Sequence, residues 1–376
     1  MNFSLFGLGN VGSNFYNNFK DKNKIITFSK NNKFNCLLKN NNIDYKKLFK
    51  KKHLFIELIG NIHITIEIVL NSIKNNNNFI SANKDLISKY VFFLNFLFKR
   101  NNIKVYYEAS VCGVLPIINL LDNFYFKDKI FYFFGVLNGT CNYILSNIKK
   151  LNFLKLINLS IKKGMAEKNY SNDIFGIDTL YKTSIIISKI NNYNIFYYNI
   201  YLESIFNLNN YIRRIFYCKK FISYFYNLNN YIFLNISLFL LKNSLIKNIN
   251  NSYNFILLNS FNSQKTFLSA VGAGGLPTSY SVITNFHQSF EKKFFLNKNC
   301  IKKKIIISKN LFCINYLLKL NFNYNIFFIL YNLKIKFLKL YYSRNILIKL
   351  KKTYYKKILF FLFFFKNKKF SINKII

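Results

Sequence analysis

Short apolar runs alternate with helix-like stretches over the first 110 residues. The strand-like runs, rich in β-branched and aromatic residues, are residues 2–6, 24–28, 54–59, 78–81 and 104–109. The helix-like stretches between them are residues 13–20, 64–74 and 85–100. Strands that alternate with helices predict a parallel sheet with helical crossovers. We therefore expect residues 1–115 to form an α/β domain of the Rossmann type.

The pattern changes near Pro116. Helix-like segments follow at residues 116–123, 142–150 and 177–189, and aromatic, strand-like segments lie between residues 195 and 258. We interpret residues 116–271 as a second, α+β domain for substrate binding and dimerisation. A Gly-rich stretch at 271–276 is expected to open a helix that completes the first domain over about residues 272–295. Beyond it, residues 300–376 contain strand-like segments at 311–320, 334–341 and 345–350.

The first motif follows the first strand directly. Gly7, Gly9 and Gly12 form Gly-x-Gly-x-x-Gly between a strand and a helix. In this motif the first glycine permits a tight turn, the second admits a pyrophosphate and the third lets helix and strand pack closely. The pattern predicts a dinucleotide at the helix N-terminus. The alternative is a glycine turn in some other α/β domain.

The end of the second strand bears on the choice of dinucleotide. An Asp or Glu at this point binds the ribose hydroxyls of NAD. The sequence instead has Ser29 and Lys30, with Lys33 nearby. A hydroxyl and lysines suit a 2′-phosphate, so the sequence favours NADP over NAD.

Charge and composition change this picture little. The chain has 55 Lys and Arg against 13 Asp and Glu, a net charge of +42. Such an excess indicates nucleic-acid or membrane binding when it forms a stripe or tail. Here lysine is spread along the chain, and the favoured residues Lys, Asn, Ile, Phe, Tyr and Leu all have A/T-rich codons, which indicates a strongly A/T-biased genome. We expect no dedicated nucleic-acid or membrane role.

Cysteine and histidine placement excludes further classes of site. The six cysteines form no CxxC pair and the three histidines show no ligand spacing, which argues against a structural zinc and a disulfide framework. Gly7 interrupts the apolar core that a secretory signal needs. The apolar run 358–365 is far shorter than the ~20 residues of a transmembrane helix. We expect a cytoplasmic protein.

Glycine occurs only 12 times, and it clusters in short motifs. The motifs are Ala82-Asn83-Lys84, Tyr107–Gly113 (YEASVCG), Leu137–Leu145 (LNGTCNYIL), Gly164-Met165-Ala166-Glu167, Asp173–Asp178 (DIFGID) with Lys182, and Gly272–Thr278 (GAGGLPT). With the first turn, they resemble homoserine dehydrogenases, in the same order, over residues 5–280. The resemblance implies NAD(P)H-dependent reduction of L-aspartate 4-semialdehyde to L-homoserine, on the shared route to threonine and methionine.

The resemblance also implies roles for individual residues. Lys182 would exchange a proton with the substrate oxygen, and Lys84, between nicotinamide and substrate, is the alternative donor. Glu167 and Asp178 would bind the substrate ammonium group, while Asp173 orders that pocket. A simpler interpretation of Asp178 and Lys182 is an ion pair on a helix surface, because they are four residues apart. Acidic residues are rare in this chain, and the pair directly follows the segment 166–176 (AEKNYSNDIFG). This position favours a catalytic role.

Further sites follow from the same resemblance. The cofactor-binding residues would be Gly7, Gly9, Asn10, Val11, Gly12, Lys84, Gly164 and Gly272. A structural monovalent cation, usually sodium, would be held by Glu108 and the carbonyls of Val111, Gly113 and Leu115. Oxygen ligands of this kind suit a hard cation. From the sequence, Glu108 could equally be a buried carboxylate paired with a lysine. A homodimer formed through the second domain is also implied.

Two questions stay open at this level. Many homoserine dehydrogenases end in a regulatory ACT domain; residues 300–376 predict a degenerate ACT-like domain without threonine control, or a basic tail. Departures from the family pattern include Cys112, Val114, Cys141 and the segment 168–170, but none removes a proposed catalytic group. The alternative to an enzyme is a catalytically degenerate relative kept as a basic binding or scaffold protein.

Overall fold

The first sheet of the protein is parallel throughout. The computed structural model describes residues 3–18, 25–28, 54–166, 170–206, 219–228, 231–241, 244–272 and 274–291, and the strand segments 306–307, 313–321, 337–342, 345–354 and 371–375. The strands are β1 (Phe3–Phe6), β2 (Ile25–Phe28), β3 (Leu54–Glu57), β4 (Phe79–Ser81) and β5 (Val105–Tyr106), in the order β2-β1-β3-β4-β5. Every residue of β1 and β3 is buried, as helices on both faces of a sheet require.

Asparagines begin two of the helices that cross over between these strands. The helices are α1 (Asn10–Asn17), α2 (Ile62–Lys74) and α3 (Lys84–Arg100). The side chains of Asn61 and Asn83 accept N–H bonds from the first turns of α2 and α3, which satisfies donors that a helix start leaves unpaired.

A helix from much later in the chain completes the core of this domain. Helix α10 (Gly275–Gln288) contacts α1, and its Phe286 ring packs edge-on against Phe3 at 5.0 Å between centroids. Phe15 joins the same cluster, with its centroid 6.1 Å from that of Phe3. Helix α10 thus packs into the core of the first domain, while the return of the chain over about residues 272–295 stays a prediction.

The second sheet is mainly antiparallel. Its first five strands are β6 (Ile130–Val136), β8 (Lys219–Leu228), β9 (Tyr231–Leu240), β10 (Tyr253–Ser260) and β11 (Gln264–Val271), in the order β11-β10-β6-β8-β9, and β7 (Tyr201–Leu202) pairs with β9. Phe133 lies opposite Phe225 on one side and Leu258 on the other. These three side chains belong to a large buried core shared with helices on the same face.

The helices of the second domain are short, and one of them carries most of the candidate site. They are α4 (Ile117–Asn123), α5 (Gly139–Asn147), α6 (Phe153–Lys162), α7 (Ser171–Ile174), α8 (Ile177–Asn191) and α9 (Ser244–Lys247). In α8, nine of the fifteen residues are buried. A helix so enclosed fixes its polar side chains in place.

The described C-terminal strands extend the second sheet. They are β12 (Ile306–Ile307), β13 (Cys313–Asn321), β14 (Phe337–Tyr342), β15 (Asn345–Tyr354) and β16 (Ser371–Ile375). The last four pair antiparallel in the order β16-β13-β15-β14, and β16 runs parallel to β9. Numbered within the segment, this is the order 4-1-3-2, the strand arrangement of a ferredoxin-like β-α-β-β-α-β unit.

The fold class predicted from the sequence is confirmed, but several elements differ. Strand β6, helix α6 and strand β11 were not predicted. Strand β6 is a continuous apolar run without periodicity, and its partners β8 and β10 come from residues 219–260. Only Val105 and Tyr106 of the predicted strand 104–109 pair, because Glu108–Ser110 form a 3-10 turn. Within the described residues, we find no helix long and apolar enough to cross a bilayer.

Candidate active site

The glycine turn between β1 and α1 leaves one of its glycines facing open space. Gly7 has φ of +103°, and a Cβ at this residue would lie 2.7 Å from the Leu58 carbonyl oxygen. A Cβ on Gly12 would overlap the Gly7 carbonyl oxygen, so helix and strand touch here. A Cβ on Gly9 would meet no described atom within 4 Å. The space at Gly9, beside the N-terminus of α1, fits a pyrophosphate.

A buried carboxylate organises the neighbouring loops at the same edge of the sheet. Glu57, the last residue of β3, accepts the N–H of Ile59 at 2.8 Å and the hydroxyl of Ser81 at 2.7 Å. Ser81 in turn accepts the N–H of Asn83, which caps α3. Burial raises the pKa of Glu57 against these hydrogen bonds. Glu57 was not among the site residues predicted from the sequence, although an acidic residue that ends an apolar strand was a signal for it.

Asp178 and Lys182 occupy the first turns of α8. The helix follows Gly176, whose φ is +82° and where a Cβ would lie 2.8 Å from the side chains of Leu202 and Phe221. The Asp178 side chain is only 3% exposed, and its Oδ2 lies 2.8 Å from Lys182 Nζ. Lys182 Nζ also donates to the carbonyl oxygen of Leu137 at 3.1 Å. This pair is therefore enclosed and is not an ordinary surface ion pair.

Lys84 reaches the same carboxylate from the other domain. It is the first residue of α3, and its Nζ bonds to Asp178 Oδ1. The side chain of Lys84 is 40% exposed, whereas that of Lys182 is 12% exposed. Burial alone would raise the pKa of Asp178, but the charges of Lys182 and Lys84 hold that pKa well below its usual value. One carboxylate thus holds two ammonium groups from separate segments.

Asp173 and Asn138 complete the cluster. Asn138 Nδ2 donates to Asp173 Oδ1 and to Asp178 Oδ2, each at 2.8 Å. Burial, and then the negative charge of Asp178, raise the pKa of Asp173 to about 6 against the Asn138 hydrogen bond. The motif Asn138-Gly139-Thr140 carried part of the resemblance, but the sequence assigned Asn138 no role. An asparagine directly before a helix was the signal that could have found it.

The structure describes only some of the other predicted substrate and cofactor residues. Glu167 is outside the described residues, as are Ser29, Lys30 and Lys33. The segment leading to Glu167 is held by Thr140 Oγ1, which donates to the Met165 carbonyl at 3.0 Å. Gly164 has φ of +67° with open space at its Cβ position.

Three further cofactor candidates lie in packed or capping positions. Gly272 is buried, and its N–H donates to the Ser252 carbonyl at 3.0 Å. A Cβ on Gly272 would overlap the Asn254 side chain. Asn10 begins α1, and Val11 packs against the core of the first domain.

The candidate cation residues form a separate group between the two domains. Both carboxylate oxygens of Glu108 accept N–H bonds at the start of α4, from Ile118 at 2.9 Å and Asn119 at 2.8 Å. Burial raises the pKa of Glu108 to about 7 against these bonds. The Gly113 carbonyl accepts the Ser281 hydroxyl at 2.5 Å. Each of these oxygens keeps a second lone pair, and oxygen ligands of this kind suit a monovalent cation.

Solved structures show the same fold over the whole chain. A homoserine dehydrogenase from Thiobacillus denitrificans superposes with a TM-score of 0.86 at 20% identity, covering 100% of this chain and 98% of that one. The enzyme from S. aureus gives a TM-score of 0.73 at 18% identity, with the same coverage. At these identities the likeness establishes the fold.

Curated relatives resemble the chain in sequence over part of their length. The homoserine dehydrogenase of Neisseria gonorrhoeae is 28% identical over 243 residues, which cover 63% of this chain and 56% of the relative. That of Helicobacter pylori is 26% identical over 279 residues, covering 72% and 64%. That of Lactococcus lactis is 33% identical over 135 residues, covering 35% and 32%. The matches thus span less than two thirds of these relatives' length.

The first domain combines a parallel sheet with an open glycine turn, and the second domain buries a lysine–carboxylate cluster. Together they define a two-domain protein with the fold of dinucleotide-dependent dehydrogenases. The sequence narrows this class further, because the family model described as homoserine dehydrogenase matches residues 116–286. This family model covers less than half of the chain, and over that part the chain is similar to homoserine dehydrogenases.

Proposed function

We propose that the protein is a homoserine dehydrogenase, which reduces L-aspartate 4-semialdehyde to L-homoserine with a nicotinamide dinucleotide. The observation that carries the proposal is the buried Asp178 carboxylate, which holds the Lys84 and Lys182 ammonium groups side by side. Reduction of an aldehyde places negative charge on its oxygen, and such charge is stabilised by preorganised cations in an enclosed site. A protein kept only as a scaffold has no need of this arrangement.

Lys182 is the proposed proton donor. When bound, the dinucleotide supplies the hydride that attacks the aldehyde carbon. Two of the three N–H groups of Lys182 are used by Asp178 and Leu137. The third can donate to the developing alkoxide, which then takes the proton. Lys84, more exposed and attached to the dinucleotide-binding domain, is the alternative donor, and in either case its charge stabilises the same oxygen.

The carboxylates divide the remaining roles. Asp178 accepts from both lysines and from Asn138, so its oxygens chiefly hold the proton donors in place. We propose that the substrate ammonium group binds to Asp173, which lies beside Asp178, and to Glu167. Asp173 meets this need only as a carboxylate, which links substrate binding to its protonation.

The dinucleotide is proposed to be NADP. Strand β2 lies beside β1 and runs parallel to it, so its carboxyl end at Phe28 lies at the edge that carries the glycine turn. Ser29, Lys30 and Lys33 provide a hydroxyl and positive charge for a 2′-phosphate. The ratio of kcat/KM for NADPH and NADH measures this preference, and Lys30→Ala should lower it.

A sodium ion is proposed at Glu108 and the carbonyls of Val111, Gly113 and Leu115. It would join the 3-10 turn to the start of α4 and have a structural role. Replacement of sodium by a bulky organic cation should then lower the melting temperature, while kcat should change little. We also propose a cytoplasmic homodimer, in keeping with a pathway that uses soluble metabolites; cell fractionation tests the location.

The test of the proposed function is aldehyde-dependent NADPH oxidation by the purified protein. Wild type should turn over L-aspartate 4-semialdehyde, and Lys182→Ala should lower kcat by about 10² to 10⁴, the range for loss of a general acid. Lys247→Ala, on the short helix α9, serves as the matched lysine control and should keep wild-type activity. Equal inactivity of folded wild type and Lys182→Ala would contradict the proposal.

A further inference from the structure

Asn138 lies where the central strand of the second domain enters a helix. Its Oδ1 accepts the N–H of Cys141 at 2.7 Å and so caps α5. The residue is 4% exposed. Its side-chain oxygen therefore has a structural role as a helix cap, and its amide nitrogen is left for other contacts.

The amide nitrogen serves two carboxylates at once. It lies 2.8 Å from Asp173 Oδ1 and 2.8 Å from Asp178 Oδ2. A primary amide carries two N–H donors, so each carboxylate receives one. No residue other than asparagine or glutamine can cap a helix through oxygen and bridge two carboxylates through the same side chain. Glutamine is longer by one methylene, so its amide would be displaced.

Two carboxylates that share a buried site repel each other, and one of them tends to keep its proton. Asp178 is secured as the charged partner by Lys182 and Lys84. Asp173 faces the charges of Asp178, Lys84 and Lys182, the amide of Asn138 and the buried thiol of Cys141. The amide N–H is the hydrogen bond that favours its ionised form.

We infer that Asn138 is a positioning residue that keeps Asp173 ionised and aligned beside Asp178 for the substrate ammonium group. This inference rests on the proposed function. Without the amide, the proton on Asp173 persists to higher pH, and the substrate meets a neutral carboxyl group. Binding at neutral pH weakens, whereas the proton donor Lys182 keeps its contacts with Asp178 and Leu137.

The decisive variant is Asn138→Ser, since serine also caps helices well but cannot donate to two carboxylates. We expect the acidic limb of kcat/KM for homoserine oxidation to move up by about one pH unit, a tenfold change in proton affinity. KM near pH 7 should rise, while kcat at high pH should change far less. Asn152→Ser, at the cap of α6, is the matched control and should leave the profile unchanged.

A second measurement separates this inference from the proposed function. The chain has seven aspartates, so ¹³C-labelled aspartate gives few carboxyl signals, and Asp173→Asn assigns the one of interest. The Asp173 carboxyl should titrate about one pH unit higher in Asn138→Ser than in wild type, whether or not the protein oxidises homoserine. Should Asn138→Ser fail to fold, Asn138→Asp keeps the cap and must shift the titration in the same direction. Unchanged titration in the folded variant overturns the inference.

Discussion

Several of the acidic side chains that the structure describes lie where more than one hydrogen-bond donor converges on them. Asp178 receives two ammonium groups and an amide, Glu108 receives two helix N–H groups, and Glu57 receives a hydroxyl and backbone N–H groups. Removal of such a carboxylate leaves its buried donors without a hydrogen-bond acceptor, which lowers the free energy of unfolding by about 1–3 kcal/mol or more.

The first prediction concerns Asp178. In Asp178→Asn the neutral amide must place its own N–H groups against an ammonium, so the two lysines lose their common anchor. We expect kcat to fall by at least about 10²-fold, the scale of a lost charge-stabilising group, while NADPH binding stays within about twofold, well under the 1.4 kcal/mol of a tenfold change. Steady-state kinetics and fluorescence titration measure the two quantities.

The control for this variant is Asp128→Asn. Asp128 accepts N–H bonds from Asn262 and Ser263 in the turn between β10 and β11, and these bonds lower its pKa to about 2, against burial. Its loss should reduce stability without reducing kcat. A kcat for Asp178→Asn as high as that of Asp128→Asn would show that the Asp178 carboxylate is not needed for turnover.

Among the structural elements, the glycine turn is a motif whose glycines are required for different physical reasons. Gly7 and Gly12 are required by contacts within the protein, whereas Gly9 faces open space. Helix α10 adds a demand that no local pattern shows, because a Cβ on Gly275 would overlap the Asn10 side chain in α1. The motif at 272–278 is thus glycine-rich partly because two helices distant in sequence touch there.

The second prediction compares Gly9→Ala with Gly12→Ala. The backbone at Gly9 has φ of −67°, which alanine adopts without strain, so this variant should fold with an unchanged melting temperature. Its methyl group would occupy the pyrophosphate space, and KM for NADPH should rise about tenfold or more, ~1.4 kcal/mol of binding.

Gly12→Ala should instead lose about 2 kcal/mol of stability or more, since its methyl group collides with backbone. Thermal unfolding and NADPH kinetics on both variants check the contrast. An equal loss of stability in both would contradict the separation of roles within the turn.

On the scale of the whole molecule, the second sheet has two different faces. One carries Phe133, Phe225 and Leu258 into the shared core. By strand alternation the other face carries a row that includes Tyr132, Phe134, Tyr224, Leu257 and Phe267. Phe134 and Tyr224 pack edge-on, with centroids 5.6 Å apart, and Phe267 is 46% exposed. An aromatic sheet face of this kind is the surface we propose for the homodimer.

The third prediction is that Tyr224→Lys breaks this dimer, because a lysine in the middle of the row would bury an unpaired charge at the interface. Sedimentation should give twice the chain mass of 44.9 kDa for wild type and the single mass for the variant. Phe261→Lys, at a turn residue that is 71% exposed, is the control and should remain dimeric. A dimeric Tyr224→Lys would place the interface elsewhere.

Features that depend on neighbouring residues along the chain could be predicted from the sequence alone. The alternation of strands and helices, the asparagine caps and the glycine turn follow from backbone geometry within a few residues, and the spacing of Asp178 and Lys182 places them on one helix face. The resemblance to homoserine dehydrogenases indicated which of the few acidic residues are candidates for the active site.

Features that depend on packing between distant segments could be seen only in the folded protein. Strand β6 acquires its partners from β8 and β10, α10 returns to α1, and Lys84 meets Asp178 across 94 positions of sequence. The two N–H bonds of Asn138 to Asp173 and Asp178 likewise span 35 and 40 positions. Such contacts form only when separate elements close on one core, so their geometry is a property of the folded chain and not of any local pattern.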